Sequence, residues 1–207
     1  MRSLDSSLGK KLELIGTELC KLNFEYNSNM EGEISESQVE AIAQILSKYH
    51  NKLTQPSLDD LKIIDKAYNS SNSYKKQKTS DFYLKDKETN DLVLIELKLG
   101  GDLDNKKAES EKRAILEQYC ILKNKYGNDK KISIYFATAY NKFGEGNNWK
   151  QANVRSFFSE DELLIGYEFW DFILKNASGG KLVHELYKTH SSIISNEFEN
   201  LKNIYKL

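Results

Sequence analysis

Residues Thr79 to Gly101 read TSDFYLKDKETNDLVLIELKLGG. This stretch constrains the fold more than any other. Phe82 to Leu84 and Leu92 to Leu99 are apolar runs of strand length, joined by the polar turn KDKETND. Two such runs around a short polar turn predict an antiparallel hairpin. The second run nevertheless carries Glu96 and Lys98 among Val93, Leu94, Ile95, Leu97 and Leu99. A carboxylate in a buried strand is costly unless it is paired or holds a metal. Residues two apart in a strand share a face, so Glu96 and Lys98 point the same way. Asp81 precedes Glu96 by fourteen intervening residues, a span that lets the hairpin set it beside Glu96. The pattern therefore gathers two carboxylates and a lysine at one strand end.

The flanking segments place this hairpin. Leu8, Leu12, Ile15, Leu19 and Leu22 recur at helical steps, as do Val39, Ile42, Ala43, Leu46 and Leu53. Ser35 followed by Gln38 reads as a capping box for the second helix. A third, shorter helix is expected after Pro56, from Ser57 to about Ala67. Residues 68–79, YNSSNSYKKQKT, read as a mobile loop or a weak edge strand. A helix over 106–126 ends at Gly127. KISIYFATAY over 131–140 is a buried strand. The Gly/Asn-rich stretch after it is a loop, and EDELLIGYEFWDFIL and the segment from Gly180 onward read as helices. The expected architecture is α/β: a mixed sheet with an antiparallel hairpin, flanked by helices, with helical decoration at both ends. A single domain over 1–207 is expected, with a helical region at 1–56, a catalytic core at 57–140, and a loop and helices at 141–207.

Composition narrows the function. Thirty Lys and Arg balance 31 Asp and Glu, and the net charge is −1. A strongly basic nucleic-acid binder is not indicated by this total, although a local basic patch can still indicate one. Cys20 and Cys120, the only cysteines, have no metal-ligand spacing and read as buried free thiols, which suits a reducing cytoplasm. No secretory signal or membrane span is expected. His50, His184 and His190 form no cluster with one another or with cysteine, and read as structural.

Two carboxylates suit a hard divalent cation. Mg²⁺ keeps several waters and needs few protein oxygens beside a substrate phosphate. Asp81, Glu96 and the backbone carbonyl of Leu97 are the expected ligands, with Mn²⁺ as a substitute. Lys98 would orient water or neutralise charge on a phosphate, which is phosphodiester hydrolysis. The acidic-x-Lys string alone carries little, since it also starts at Asp60, Asp104 and Asp129. Only the Glu96 copy lies in an apolar strand behind a strand-borne aspartate. The alternative is an ordinary Glu96–Lys98 pair at a sheet edge.

In Asp81, Glu96 and Lys98, and in the element order over roughly 57–140, the chain resembles the PD-(D/E)XK nuclease superfamily. Ser80 stands where the superfamily name has proline. The stretches LIELKLGGDLDNKKAESEKRAILEQYCIL, IYFATAYNKFGEGNNWKQ and DELLIGYEFWDFI resemble type II restriction endonucleases of the TdeIII type, over about 94–173. That resemblance implies a Mg²⁺-dependent endonuclease specific for a sequence in double-stranded DNA. It also implies action as a homodimer in a bacterial or archaeal cytoplasm, with a methyltransferase protecting host DNA. GGNCC is a guess at the site by analogy. A structure-specific nuclease, such as a junction resolvase or repair enzyme, and a non-catalytic DNA-binding domain of the same fold are the competing readings.

Candidate DNA contacts follow from these expectations. Lys106, Lys107, Lys112, Arg113 and Gln118 lie on the helix after the Glu96 strand, either facing DNA or on a solvated face interleaved with glutamates. Asn141, Lys142, Asn147, Asn148, Trp149, Lys150, Gln151 and Arg155 supply amides and cations suited to base edges and phosphates, or form an ordinary loop pinned by Trp149. The lysines of YKKQK, 74–78, lie just before Asp81. An acidic residue from an N-terminal helix, Glu40 or Glu18, is a candidate fourth carboxylate.

Overall fold

The computed structural model describes residues 2–100 and 103–189, with side chains from residue 11 onward. Helix α1 (Arg2–Cys20) leads into strand β1 (Phe24–Ser35), then helices α2 (Glu36–His50) and α3 (Asp59–Lys66). Strand β2 (Ser73–Asp86) turns back into β3 (Leu92–Lys98). Helix α4 (Asn105–Tyr126) crosses to β4 (Ile132–Thr138), and after helix α5 (Ala152–Arg155) come β5 (Leu163–Ile165) and helix α6 (Tyr167–Leu174). Residues 179–189 are helical. The five strands form one sheet in the order β1-β2-β3-β4-β5. The β1–β2 and β2–β3 pairs are antiparallel, whereas β3–β4 and β4–β5 are parallel.

Period-two alternation sorts β3 into two layers. Leu92 and Leu94 pack with α2 and α4 residues such as Ile42, Leu46, Ile115 and Tyr119. Val93 and Ile95 pack on the other face with Leu12 of α1 and Phe169, Trp170 and Ile173 of α6. Glu96 and Lys98 continue the Leu92–Leu94 series, so their side chains leave toward α4. At the second layer, Trp170 Nε1 donates to the Ala139 carbonyl at 2.7 Å, tying α6 to the end of β4.

Local signals act as the sequence suggests. The Ser35 side chain accepts the Gln38 N–H and the Gln38 side chain accepts the Ser35 N–H, each at 3.2 Å. Gly127, at φ 59°, ends α4. Gly32 of β1 has a different reason: a Cβ there would lie 2.9 Å from the Ile121 side chain and 3.2 Å from its carbonyl. Glycine is what lets β1 press against α4.

Three expectations change. The N-terminal segment up to Pro56 is not wholly helical, because β1 forms the sheet edge. Of the two readings of 68–79, loop gives way to strand from Ser73 onward: it is the first half of β2, paired with β1 from Asn29↔Thr79 to Ser35↔Ser73. And the expected helix from Glu160 begins as a 3-10 turn at Glu160–Glu162 and the short β5, so α6 starts only at Tyr167. The tertiary partner decides in each case: β1 and β2 satisfy one another, and β5 completes the sheet beside β4.

A fully buried ion pair joins α4 to that 3-10 turn. Lys112 Nζ bonds Glu162 Oε1, and the side chains are only 2% and 1% exposed. Lys112 also sits over the Phe158 ring, 4.9 Å from its centroid. Burial pulls the Lys112 pKa below the usual lysine range against the attraction of Glu162. Removing one partner strands a charge. Glu162→Ala should therefore lose about 3–5 kcal/mol in urea denaturation, while the double variant Lys112→Met/Glu162→Leu should recover most of that loss.

Candidate active site

The hairpin register sets the site. Phe82 pairs with Ile95, Tyr83 with Leu94 and Leu84 with Val93. One step further along the same register places Asp81 beside Glu96. Here β2 bulges relative to β1: Asn27 faces Tyr83 but Asn29 faces Thr79, so Ser80, Asp81 and Phe82 stand against Ser28 alone. Such a bulge re-aims a side chain. The Asp81 carboxylate turns to β3, where Oδ2 accepts the Leu97 N–H at 2.9 Å. Ser80 Oγ donates to the Phe82 carbonyl at 3.0 Å and Tyr26 Oη to the Asp81 carbonyl at 3.3 Å. From α4, Gln118 Nε2 donates to the Thr79 carbonyl at 2.7 Å. The bulge is thus held from three sides.

On β3, Lys98 Nζ contacts Glu96 Oε1 and, from α4, Glu111 Oε1 at 3.1 Å. Burial and then the nearby Asp81 charge push the Glu96 pKa up to about 8, against the pull of Lys98. Lys98 moves the other way. Burial would lower its pKa, but Glu96, Glu111 and Asp81 together hold it above the ordinary lysine range. Among the described residues Asp81 Oδ1 and Glu96 Oε2 accept no hydrogen bond. A residue's N–H and C=O leave an extended strand on the same edge, so the Leu97 carbonyl is directed toward Asp81.

This donor set suits a divalent cation of the Mg²⁺ kind. Among the described residues no group of three or more His, Cys, Asp or Glu is disposed to hold a metal. Two carboxylates, a carbonyl and a substrate phosphate meet the needs of Mg²⁺ without such a group. The crowding that raises Glu96 is what a cation between the carboxylates would relieve.

The family follows from the chain as a whole. A family model described as "Type II restriction endonuclease, HinfI" matches residues 1–179. The chain belongs to this family. No curated protein and no solved structure matches it significantly. The match spans α1 to α6, including the N-terminal segment that carries no recognisable motif by itself. A type II restriction endonuclease cleaves double-stranded DNA at specific sequences. The family description supports that expectation at this level and carries HinfI, not TdeIII, as its label. No helix among the described residues is long and apolar enough to cross a membrane.

The remaining candidates divide. Lys106 and Lys107 are exposed at the start of α4. Arg113 donates to Glu109 at 3.3 Å on a half-exposed face. Lys112 is sealed in the core by Glu162, and Gln118 is buried with its amide on Thr79; neither faces solvent, because the apolar stripe of α4 runs through both. In the loop, Asn141 is buried, donates to the Asn147 carbonyl and accepts the Phe143 N–H. Asn147 donates to the Phe143 carbonyl. Trp149 packs on Phe136, and Gln151 is buried. Arg155 donates to the Trp149 carbonyl at 3.0 Å and pairs with Glu160. Lys142, Asn148 and Lys150 are exposed. Lys76 and Lys78 converge on Glu117 of α4 at 2.9 and 2.5 Å.

Neither Glu18 nor Glu40 joins the site: Glu18 pairs with Lys21 at 2.6 Å, and both are exposed. The carboxylate that does is Glu111. Its signal was its position, three residues after Ala108 and four before Ile115, on the border of the buried stripe of α4. His50 contacts Glu109 at 3.2 Å and His184 lies against Tyr167, while His190 lies outside the described residues.

Glu96 has a measurable signature. Its folded pKa, about 8, lies above its ordinary value of 4.5. The folded chain thus holds the proton more tightly, and metal-free stability should fall as pH rises from about 4.5 to about 8. Melting temperatures across that range should show a fall for the wild type that is reduced in Glu96→Gln, with the two curves converging near pH 5.

Proposed function

We propose that Asp81, Glu96 and Lys98 form the catalytic centre of a Mg²⁺-dependent enzyme that hydrolyses DNA phosphodiesters to 5′-phosphate and 3′-hydroxyl ends. One observation carries the reading: Asp81 bonds the Leu97 N–H, between Glu96 and Lys98, so all three functional groups meet at one strand end. Asp81, Glu96 and the Leu97 carbonyl would hold Mg²⁺, or Mn²⁺ in its place. When bound, the ion supplies Lewis-acid stabilisation of phosphate charge and a more acidic water.

The chain's own groups do the positioning. An ammonium has three N–H donors. Glu96 takes one of those on Lys98 and Glu111 lies 3.1 Å from the same nitrogen, which leaves donor capacity for a phosphate oxygen or the attacking water. Both carboxylates keep Lys98 charged and fixed in place. Lys106, Lys107, Arg113, Lys142, Asn148 and Lys150 remain candidates for contact with the duplex. Lys112, Gln118, Asn141, Asn147, Trp149, Gln151 and Arg155 would act by shaping the surfaces that carry them.

Cutting both strands of a palindrome requires two such centres related by a two-fold axis, so a homodimer of single-domain chains over 1–207 is the proposed active form. A methyltransferase of matching specificity would protect the host DNA, and both enzymes would work in the cytoplasm. The TdeIII-type assignment and its GGNCC site are a narrower proposal, decided by sequencing the ends of digested genomic DNA. A junction resolvase would instead give branch-dependent products and no fixed banding pattern.

Site-directed variants test the centre. Asp81→Ala and Glu96→Ala should abolish plasmid cleavage in Mg²⁺ yet retain a gel shift in Ca²⁺. Lys98→Ala should slow cleavage by roughly 10²–10³, the usual cost of losing one charge-stabilising donor. Wild-type rates in Asp81→Ala or Glu96→Ala would refute the assignment.

A further inference from the structure

Beyond the bulge, β1 and β2 run on as a two-stranded ribbon past the end of β3. Residues Asn29–Ser35 pair with Ser73–Thr79, while β3 pairs only with residues 82–85 of β2. The inward face of the ribbon reverses at the bulge. Phe24, Tyr26, Phe82 and Leu84 face the α1–α6 layer, whereas Met30 and Ile34 face the α4 layer. Lys76 and Lys78 also face α4, held by Glu117. The alternate residues therefore stand on the opposite face: Asn29, Glu31 and Glu33 on β1, and Lys75, Gln77 and Thr79 on β2. All six are exposed. Asn29, Glu31, Gln77 and Thr79, together with Met30 and Lys78, line a groove of about 650 Å³.

We propose that this open ribbon face enters the major groove of the DNA substrate and that Asn29 and Gln77 read base edges. The proposal rests on the endonuclease reading and names the surface that gives it sequence specificity. Dimensions support it. Paired strands lie about 4.8 Å apart, and a two-stranded ribbon fits a major groove roughly 12 Å wide. Gln77 is four residues from Asp81, at most ~13 Å along the strand. The ribbon thus starts beside the catalytic strand end, and a duplex lying across this edge of the sheet would meet both.

The side-chain chemistry is specific. Gln77 Nε2 donates to Glu31 Oε2 at 3.2 Å. That bond fixes the amide and leaves one N–H and one carbonyl oxygen directed elsewhere, the pair that matches adenine N7 and N6–H. The Asn29 side chain makes no hydrogen bond among the described residues. Glu31 and Glu33 disfavour phosphates but can accept from cytosine N4–H. The face therefore suits a groove floor better than a phosphate track. The loop at 141–151, by contrast, spends the side-chain amides of Asn141 and Asn147 on its own backbone.

Two measurements test this. Asn29→Ala and Gln77→Ala should each lower cleavage at the wild-type site by about 10–100-fold and relax the base requirement at a symmetric position in sequenced ends. Shifts of non-specific DNA in Ca²⁺ should stay unchanged. In the second arm, Gln77→Cys is paired with duplexes carrying a disulfide-activated tether on cytosine N4 in the major groove or guanine N2 in the minor groove. Cys20 and Cys120 are buried, so the introduced thiol is the reactive one. Cross-linking only to the major-groove tether is expected. Unchanged sites and rates in both alanine variants would overturn the proposal, as would cross-linking to the minor-groove tether or to a second copy of the chain. If the unsubstituted protein neither cuts nor shifts DNA, the endonuclease reading itself falls and takes the ribbon with it.

Discussion

The hydrogen bond from the Leu97 N–H to the Asp81 carboxylate determines how this site is built. In a regular hairpin the same register would hand that N–H to the carbonyl of Ser80. The bulge removes Ser80 from the ladder, and a buried donor cannot be left unpaired without cost. The carboxylate takes the carbonyl's place. A side chain that caps the sheet in this way is fixed with respect to β3, and so with respect to Glu96 and Lys98 on either side of Leu97. One bond both satisfies the backbone and fixes the proposed catalytic carboxylate.

Helix α4 supplies the second constraint. It delivers Glu111 to Lys98, Lys112 to Glu162, Glu117 to Lys76 and Lys78, and Gln118 to Thr79. Glu117 and Gln118 both meet the first half of β2, whereas Glu111 meets the end of β3 and Lys112 the turn before β5. The helix thereby fixes the end of β3, the first half of β2 and the turn before β5 relative to one another. Its interior apolar residues, Ile115, Leu116, Tyr119 and Leu122, hold it on the Leu92–Leu94 layer. A shift of α4 along its axis would disturb all of these polar contacts together, so packing of this helix and geometry at the strand end are coupled.

The sequence made the hairpin and its charged strand end legible because both follow from period-two spacing, a polar turn and the cost of burying charge. The capping box at Ser35 and the stop at Gly127 are equally local, and both stand. What could not be read is non-local. Strand β1, FEYNSNMEGEIS, keeps Phe24, Tyr26, Met30 and Ile34 in period two, but Ser28 and Gly32 interrupt the series, and the partner that makes it a strand, β2, lies beyond two intervening helices. Strand β5 has only three residues and precedes a helix. Amides in the 141–151 loop looked available for bases, yet short polar side chains readily bond the nearby backbone, and Asn141 and Asn147 do so. Lys112 shares its sequence surroundings with exposed lysines, and only the partner fifty residues on distinguishes it.

Two lysines on or beside α4 show why one charge set is closed and the other is suited to chemistry. Lys112 meets a single carboxylate out of reach of water. Its charge is balanced, so the pair has no need of a further ion. Lys98 is partly exposed and faces three carboxylates, Glu96, Glu111 and Asp81. When all are ionised, two negative charges remain. Some of that surplus is suppressed by protonation, as the raised pKa of Glu96 expresses. A dication would balance it without a proton, and a phosphodiester would then add an anionic oxygen for the ammonium to meet. Charge balance, more than the identity of any one residue, makes the end of β3 fit for a metal and a phosphate together.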